Sequence, residues 1–183
     1  YGESQIVGDV WEPIGGTFLF GTDQIGRDLL SRLVYGARNT ISLALLTTAL
    51  AFLIGGLLGF LAATMRGWVD QLLSRFVDII ISIPTLIFAL IVLSAVGTSI
   101  PVLISVIGLV YAMPVYRIAR AVAMDIEIMD YVEVARLRGE GLWWIMRREI
   151  LPNALTPLAA EFGLRFCFVF LLISGLSFLG LGL

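Results

Sequence analysis

The chain has 183 residues, 59% hydrophobic and 14% charged, with a formal net charge of -2. Ordinary soluble domains are roughly 45–50% apolar, and the excess here cannot be hidden inside one globule of this length, which points to a membrane protein. The charge implies no basic face for nucleic acid. All twelve cations are arginine, so a P-loop of the usual kind is excluded, and the lack of histidine with a single cysteine excludes the common zinc, haem and thiol–imidazole sites. No catalytic residue and no metal ligand is read from the chain, and Cys167, inside an apolar run, reads as a small core hydrophobe.

Residues Tyr1 to Gly26 are rich in Gly, Pro and short polar residues without a sustained period, which predicts an irregular segment outside the bilayer. No basic start followed by a short apolar stretch marks a signal peptide. "DLLSRLVYGAR" (Asp28 to Arg38) puts Leu29, Leu30, Leu33 and Val34 on one face, which predicts a short amphipathic helix at the interface. Asn39 to Met65 carries no charge, long enough at about 1.5 Å per residue to cross a core of about 30 Å. Within it Gly55 and Gly59 form a GxxxG that would let another helix approach closely.

"RGWVDQLLSR" (Arg66 to Arg75) reads as a polar turn of amphipathic flavour. The next uncharged run, Ile79 to Tyr116, is too long for one helix, and "VGTSIP" (Val96 to Pro101) divides it into two spans. Pro84 falls inside the first of them, as a kink, and Asp78 reads as an interfacial residue. A charged loop follows, Arg117 to Leu151, and a last apolar run from Pro152 to Leu183 is interrupted by Glu161 and Arg165. With the charged loop on the cytoplasmic side, eight arginines lie there against Arg27, Arg32 and Arg38 opposite, which the positive-inside rule favours.

Inside the loop, "DYVEVARLRGEGLWWIMRREILPN" (Asp130 to Asn153) predicts a short helix stopped at Gly139, then a second helix ended or redirected at Pro152. Trp143, Trp144, Ile145 and Met146 are too apolar to stand wholly in water and should pack on membrane-proximal helices or on another protein. Glu161 and Arg165, four apart, share a helix face and can pair. Counting from Pro152, Glu161 lies about 13 Å deep, where ionisable groups are costly. Two readings stand side by side: the pair lines a solute pathway, or it is a structural ion pair.

The spacing of Glu133, Ala135 and Gly139, with Leu151-Pro152 beyond, resembles the "EAA" motif of ABC importer permeases. "ILPNALTPL" (Ile150 to Leu158), "GTDQIGRDLLSRLVYGAR" (Gly21 to Arg38) and "LSFLGLG" (Leu176 to Gly182) resemble the dipeptide, oligopeptide and nickel branch of that family. Val134 stands in place of the alanine usual at the motif's second position, and Arg138 where a small or apolar residue commonly precedes the glycine.

The resemblance implies an all-α, polytopic transmembrane bundle of the type I (MetI-like) importer kind, in the bacterial or archaeal inner membrane. Residues 1–26 would be extracytoplasmic and 27–183 the permease domain, with spans at about 39–65, 76–96, 99–116 and 152–176 and a cytoplasmic coupling loop at 117–151. It also implies a further helix before Tyr1 and another after Leu183, making six. Two cytoplasmic ATP-binding subunits, which bind ATP and magnesium, would receive the loop; a second homologous permease and an extracytoplasmic solute-binding protein would complete the complex.

Glu133, Ala135 and Gly139 would be the central coupling contacts, with Leu142 and Trp143 beside them, and Glu161 and Arg165 the candidate pathway residues. The cargo implied is a di- or oligopeptide, with nickel chelates, opines, glutathione or sugars as alternatives. A stand-alone channel or secondary carrier would not need the coupling loop, and a membrane-embedded enzyme lacks convergent catalytic groups.

Overall fold

The computed structural model describes residues 1–2 and 4–180 and divides them into two compact units, Tyr1–Leu43 and Ala44–Leu183. The first helix, α1 (Leu29–Met65), starts inside the first unit. Asp28 begins this helix by accepting the Ser31 N–H (2.9 Å) and hydroxyl (2.6 Å), an N-cap that holds its carboxyl below the usual range. The amphipathic stretch Asp28 to Arg38 is therefore not a separate interfacial helix. No proline parts it from the apolar run behind it, and one helix of about 55 Å results.

The first unit is irregular but tightly determined. Asp23 accepts the backbone N–H groups of Ile25 (2.9 Å) and Arg27 (3.0 Å) and ion-pairs with Arg27 (2.9 Å) and Arg32 (2.7 Å). The Arg27 N–H does most to hold its carboxyl far below the usual range, against the effect of burial. The Thr22 hydroxyl receives the Glu12 N–H (2.8 Å) and donates to the Asp9 carbonyl. Gly21 and Gly26 adopt φ of +76° and +80°, and a Cβ on either would sit 2.4 or 2.3 Å from the backbone oxygen of Glu12 or Gly8. Gly21, Thr22, Asp23, Gly26, Arg27 and Asp28 of "GTDQIGRD" thus each have a local structural reason.

The second unit contains the C-terminal part of α1, then α2 (Gly67–Ile81), α3 (Thr85–Val96), α4 (Ile100–Glu127), α5 (Asp130–Leu137), α6 (Leu142–Ile145) and α7 (Leu151–Phe178). Among the described residues, three helical stretches are long and apolar enough to cross a membrane: Leu29–Met65, Ile100–Glu127 and Leu142–Phe178. The span expected at 76–96 is instead two helices, α2 and α3, bent by 85° at Ser82-Ile83-Pro84. Pro84 precedes Thr85 and cannot continue the α2 ladder, so the chain turns where a mild kink was expected. The twelve residues of α3 cover only about 18 Å, short of a hydrocarbon core of about 30 Å. Similarly, of the expected turn Arg66 to Arg75 only Arg66 lies between helices, and Gly67 to Arg75 is the start of α2.

The GxxxG of α1 packs on α4 as expected. A Cβ on Gly55 would lie 2.4 Å from the Ala112 carbonyl oxygen, and one on Gly59 2.8 Å from both the Tyr116 oxygen and the Ala119 Cβ. The polar side of α2 also meets α4: Asp70 takes a bidentate pair from Arg120, and Asp78 pairs with Arg117 at 2.5 Å. Ser74 shares a 2.9 Å hydrogen bond with Tyr116. Cys167 is exposed on α7 and is not the core residue expected, because α7 leaves much of its surface uncovered within this chain. Of the "LSFLGLG" stretch, Leu181 and Gly182 lie outside the described residues.

Candidate functional site

The expected loop of Arg117 to Leu151 is largely helical. α4 carries on to Glu127, and only Ile128-Met129, Arg138 to Gly141 and a π turn at Met146–Ile150 lie outside α-helix before α7. Asp130 and Glu133 in the first turn of α5 complement its N-terminal dipole. At its end Gly139 takes φ of +83°; its N–H reaches the Arg136 carbonyl (2.9 Å) and the Glu140 N–H reaches the Ala135 carbonyl (3.2 Å). That pair of bonds is a Schellman stop, the glycine terminus read from the sequence.

Pro152 does not end or redirect the second helix. α6 passes through a single widened π turn, Met146–Ile150, straight into α7. The irregularity sits just ahead of the proline, which has no N–H to give to the preceding turn, and Asn153 Nδ2 takes up the Glu149 carbonyl at 2.7 Å. Sequence reading placed a boundary here because a proline after a charged run normally marks one. The π turn lets one rod run from Leu142 to Phe178.

This α5–α6 hairpin has a buried root and an exposed tip. Val132, Ala135, Ile145, Met146 and Ile150 join Phe60, Ala123, Ile126 and Ala154 in one apolar cluster. Trp144 is half-buried against it, with the Arg138 guanidinium 5.9 Å above its ring. Outward lie Glu133, Val134, Gly139, Leu142, Leu137 at 81% exposure and Trp143 at 63%.

Four of the five predicted coupling residues, Glu133, Gly139, Leu142 and Trp143, are therefore accessible, whereas Ala135 is 0% exposed. Ala135 is corrected from a contact residue to a packing one: its small side chain lets α5 sit against α4 and the π turn. Leu137 was missed. The available signal was an apolar residue two places from Ala135, off the face that Val132 and Ala135 define.

Also missed was Glu127, the last residue of α4, whose side chain is wholly buried. Its Oε2 accepts from Arg66 Nε and Nη2, both at 2.9 Å, and its Oε1 accepts from Arg136 of α5. Arg66 occupies the turn between α1 and α2 with φ of 49°, followed by Gly67 at 65°. One carboxylate thereby joins that turn, the end of α4 and α5.

Glu161 and Arg165 form the expected i,i+4 pair along α7, and 12% and 19% of their side chains remain exposed. Arg165 also lies 5.9 Å from the Phe168 ring centre, and Tyr111 of α4 donates to the Phe168 carbonyl at 3.3 Å. The two charges satisfy each other on one helix.

Comparison with known proteins bears on this arrangement. Residues 55–183 match the family described as "Binding-protein-dependent transport system inner membrane component". The di/tripeptide transport system permease protein of Pseudomonas aeruginosa is 37% identical over 166 residues, which is 90% of this chain and 54% of that protein. The dipeptide transport system permease protein of Haemophilus influenzae is 33% identical over 165 residues, 90% of this chain and 56% of that one. The glutathione transport system permease protein of Pectobacterium atrosepticum is 29% identical over 163 residues, 88% and 54% respectively. The chain thus spans little more than half the length of these curated relatives. With its apolar membrane-length helices and a match that runs from the middle of α1 to the last residue, the chain belongs to the family of binding-protein-dependent transport system inner membrane components.

Proposed function

We propose that this chain is the helical core of the permease subunit of an ATP-driven importer, and that its α5–α6 hairpin receives the motion of two separate cytoplasmic ATP-binding subunits. The observation that carries the reading is the division of the hairpin: Val132, Ala135, Ile145 and Met146 anchor it, while Glu133, Val134, Leu137 and Trp143 stand outward. A rigid knob with apolar and charged groups at its tip suits docking into a partner's cleft, the apolar groups giving contact area and the charges selecting the partner. The chain has no lysine for a P-loop, so ATP and magnesium would be bound by the partners. A second homologous permease would complete the path, and an extracytoplasmic binding protein would deliver the cargo.

The cargo proposed is a di- or oligopeptide. It is the class named for two of the relatives above, and glutathione, named for the third, is itself a short peptide. For Glu161 and Arg165 the self-contained pairing favours helix packing over solute contact. If they pack, the double exchange Glu161→Gln with Arg165→Gln retains more uptake than either single change. If they line the pathway, the double variant loses uptake while the complex still assembles.

Gly139→Asp tests the docking reading in the full-length protein. Open space surrounds the position, and an aspartate tolerates the left-handed backbone better than most residues, so the hairpin should persist with a new charge at its tip. Uptake driven by ATP should fall while the membrane level stays normal. Normal uptake in that variant, or failure of the wild-type protein to co-purify with ATP-binding subunits, would sink the proposal.

A further inference from the structure

We propose that Glu127, with Arg66 and Arg136, is a positioning clamp that carries displacement of α5 to the turn between α1 and α2. The idea rests on the coupling role of the hairpin and names the route by which that role would reach the membrane helices.

The geometry has three parts. First, the carboxylate is wholly buried and each of its oxygens has its own arginine. A buried carboxylate is costly to leave unpaired, so any movement of Arg136 with α5 must either drag Glu127 along or break the pair. Second, the two arginines come from different places: Arg136 from α5, and Arg66 from the one-residue turn between α1 and α2, where Arg66 and the Gly67 that opens α2 both hold positive φ. Such a turn is conformationally narrow, and moving its guanidinium reorients the end of α1 and the start of α2 together. Third, α2 is fastened along α4 by the pairs of Asp70 with Arg120 and Asp78 with Arg117. Displacement at the clamp therefore reaches the α2–α3 bend as a shift of a whole helix.

Attachment of α5 does not need these charges. Val132 and Ala135 are already fully buried against α4 and the π turn. Buried ion pairs contribute little net stability over an apolar replacement of similar volume. The clamp's distinctive contribution is direction: apolar contacts permit sliding, whereas a carboxylate gripped from two sides permits little.

The test uses the full-length protein assembled with its second permease, both ATP-binding subunits and the binding protein, reconstituted in proteoliposomes. Solute moved per ATP hydrolysed is measured for wild type, Arg66→Gln, Glu127→Gln and the apolar pair Arg66→Met with Glu127→Leu. Arg66 is more than half exposed and Arg136 still pairs with Glu127 when Arg66 is exchanged, so this variant disturbs the fold less than a change at Glu127. The apolar pair restores packing without restoring the grip.

Assembled Arg66→Gln and apolar-pair complexes are expected to hydrolyse ATP normally while the transport-to-hydrolysis ratio falls about fivefold or more. Arg66→Lys, which keeps the charge but not the two-point contact, should recover part of the ratio. A ratio within about twofold of wild type in both assembled variants overturns the clamp. A wild-type complex whose ATP hydrolysis does not respond to loaded binding protein overturns the coupling role itself, and the two failures are distinct.

Discussion

In the first unit Asp23 is gripped by Arg27 and Arg32; in the second, Glu127 is gripped by Arg66 and Arg136. Both are carboxylates with two guanidinium partners and little exposure, and both lie near glycines of positive φ. They differ in reach. Asp23 draws its arginines from four and nine residues downstream and adds two backbone N–H groups, so it defines the shape of one local segment. Glu127 reaches back 61 residues to Arg66, and it ties together helices that would form without it. A local hub is part of the fold of its segment, whereas a long-range hub sets how finished helices move together.

The comparison breaks most visibly at glycine. Gly26 combines a φ of +80° with a backbone oxygen 2.3 Å from where a Cβ would stand. Gly26→Ala should therefore unravel the segment around Asp23, costing about 3 kcal/mol or more within that unit. Trypsin cleavage after Arg27 in the purified full-length protein reads this out, and wild-type resistance would show that the segment does not depend on the local hub. Glu127→Ala should cost less, up to about 3 kcal/mol, because both arginines are partly exposed and can turn toward water. Thermal denaturation in detergent should shift downward with helix content unchanged.

Acid titration sharpens the difference. The carboxyls of Asp23 and Asp28 both lie below their ordinary value of 3.8 in the folded chain. A depressed carboxyl contributes stability that is fully present above its unfolded value and is lost as pH falls toward the folded one. Protection of the first unit should thus be flat from neutral pH to about 4 and decline below it. Asp23→Asn should lower protection at neutral pH and remove much of the decline. Hydrogen exchange of the Ile25 and Arg27 amides follows both effects.

What could be read in the sequence tracks the same distinction of reach. The Schellman stop at Gly139 and the Glu161–Arg165 pair depend on neighbours within a few residues, and each was legible; the GxxxG of α1 was legible as a local motif, although the helix it packs on, α4, is far along the chain. Helix limits were less so. The short amphipathic stretch after Asp28 shows no signal that it continues into the apolar run, and Pro84 alone does not distinguish a kink from an 85° bend. Ala135 was expected as a contact because the spacing of Glu133, Ala135 and Gly139 resembles a coupling motif. Its burial depends on α4 and the π turn, which local spacing does not reveal. The pairing of Glu127 with Arg66 leaves no local trace at all.

Gly139 gives the smallest predicted effect and the finest test. Like Gly26 it has a positive φ, here +83°, but no atom lies within 4 Å of its notional Cβ. Its constraint is backbone strain without a clash. Gly139→Ala should cost about 1 kcal/mol of hairpin stability, and Gly139→Asn only a fraction of that, since asparagine visits the left-handed region more readily. Hydrogen exchange at the Gly139 position and Glu140 amides, which close the stop, would resolve the order Gly, Asn, Ala. Equal loss for Asn and Ala would mean that something occupies the space around the tip in the protein tested, and an alanine effect as large as that at Gly26 would place a partner's backbone there.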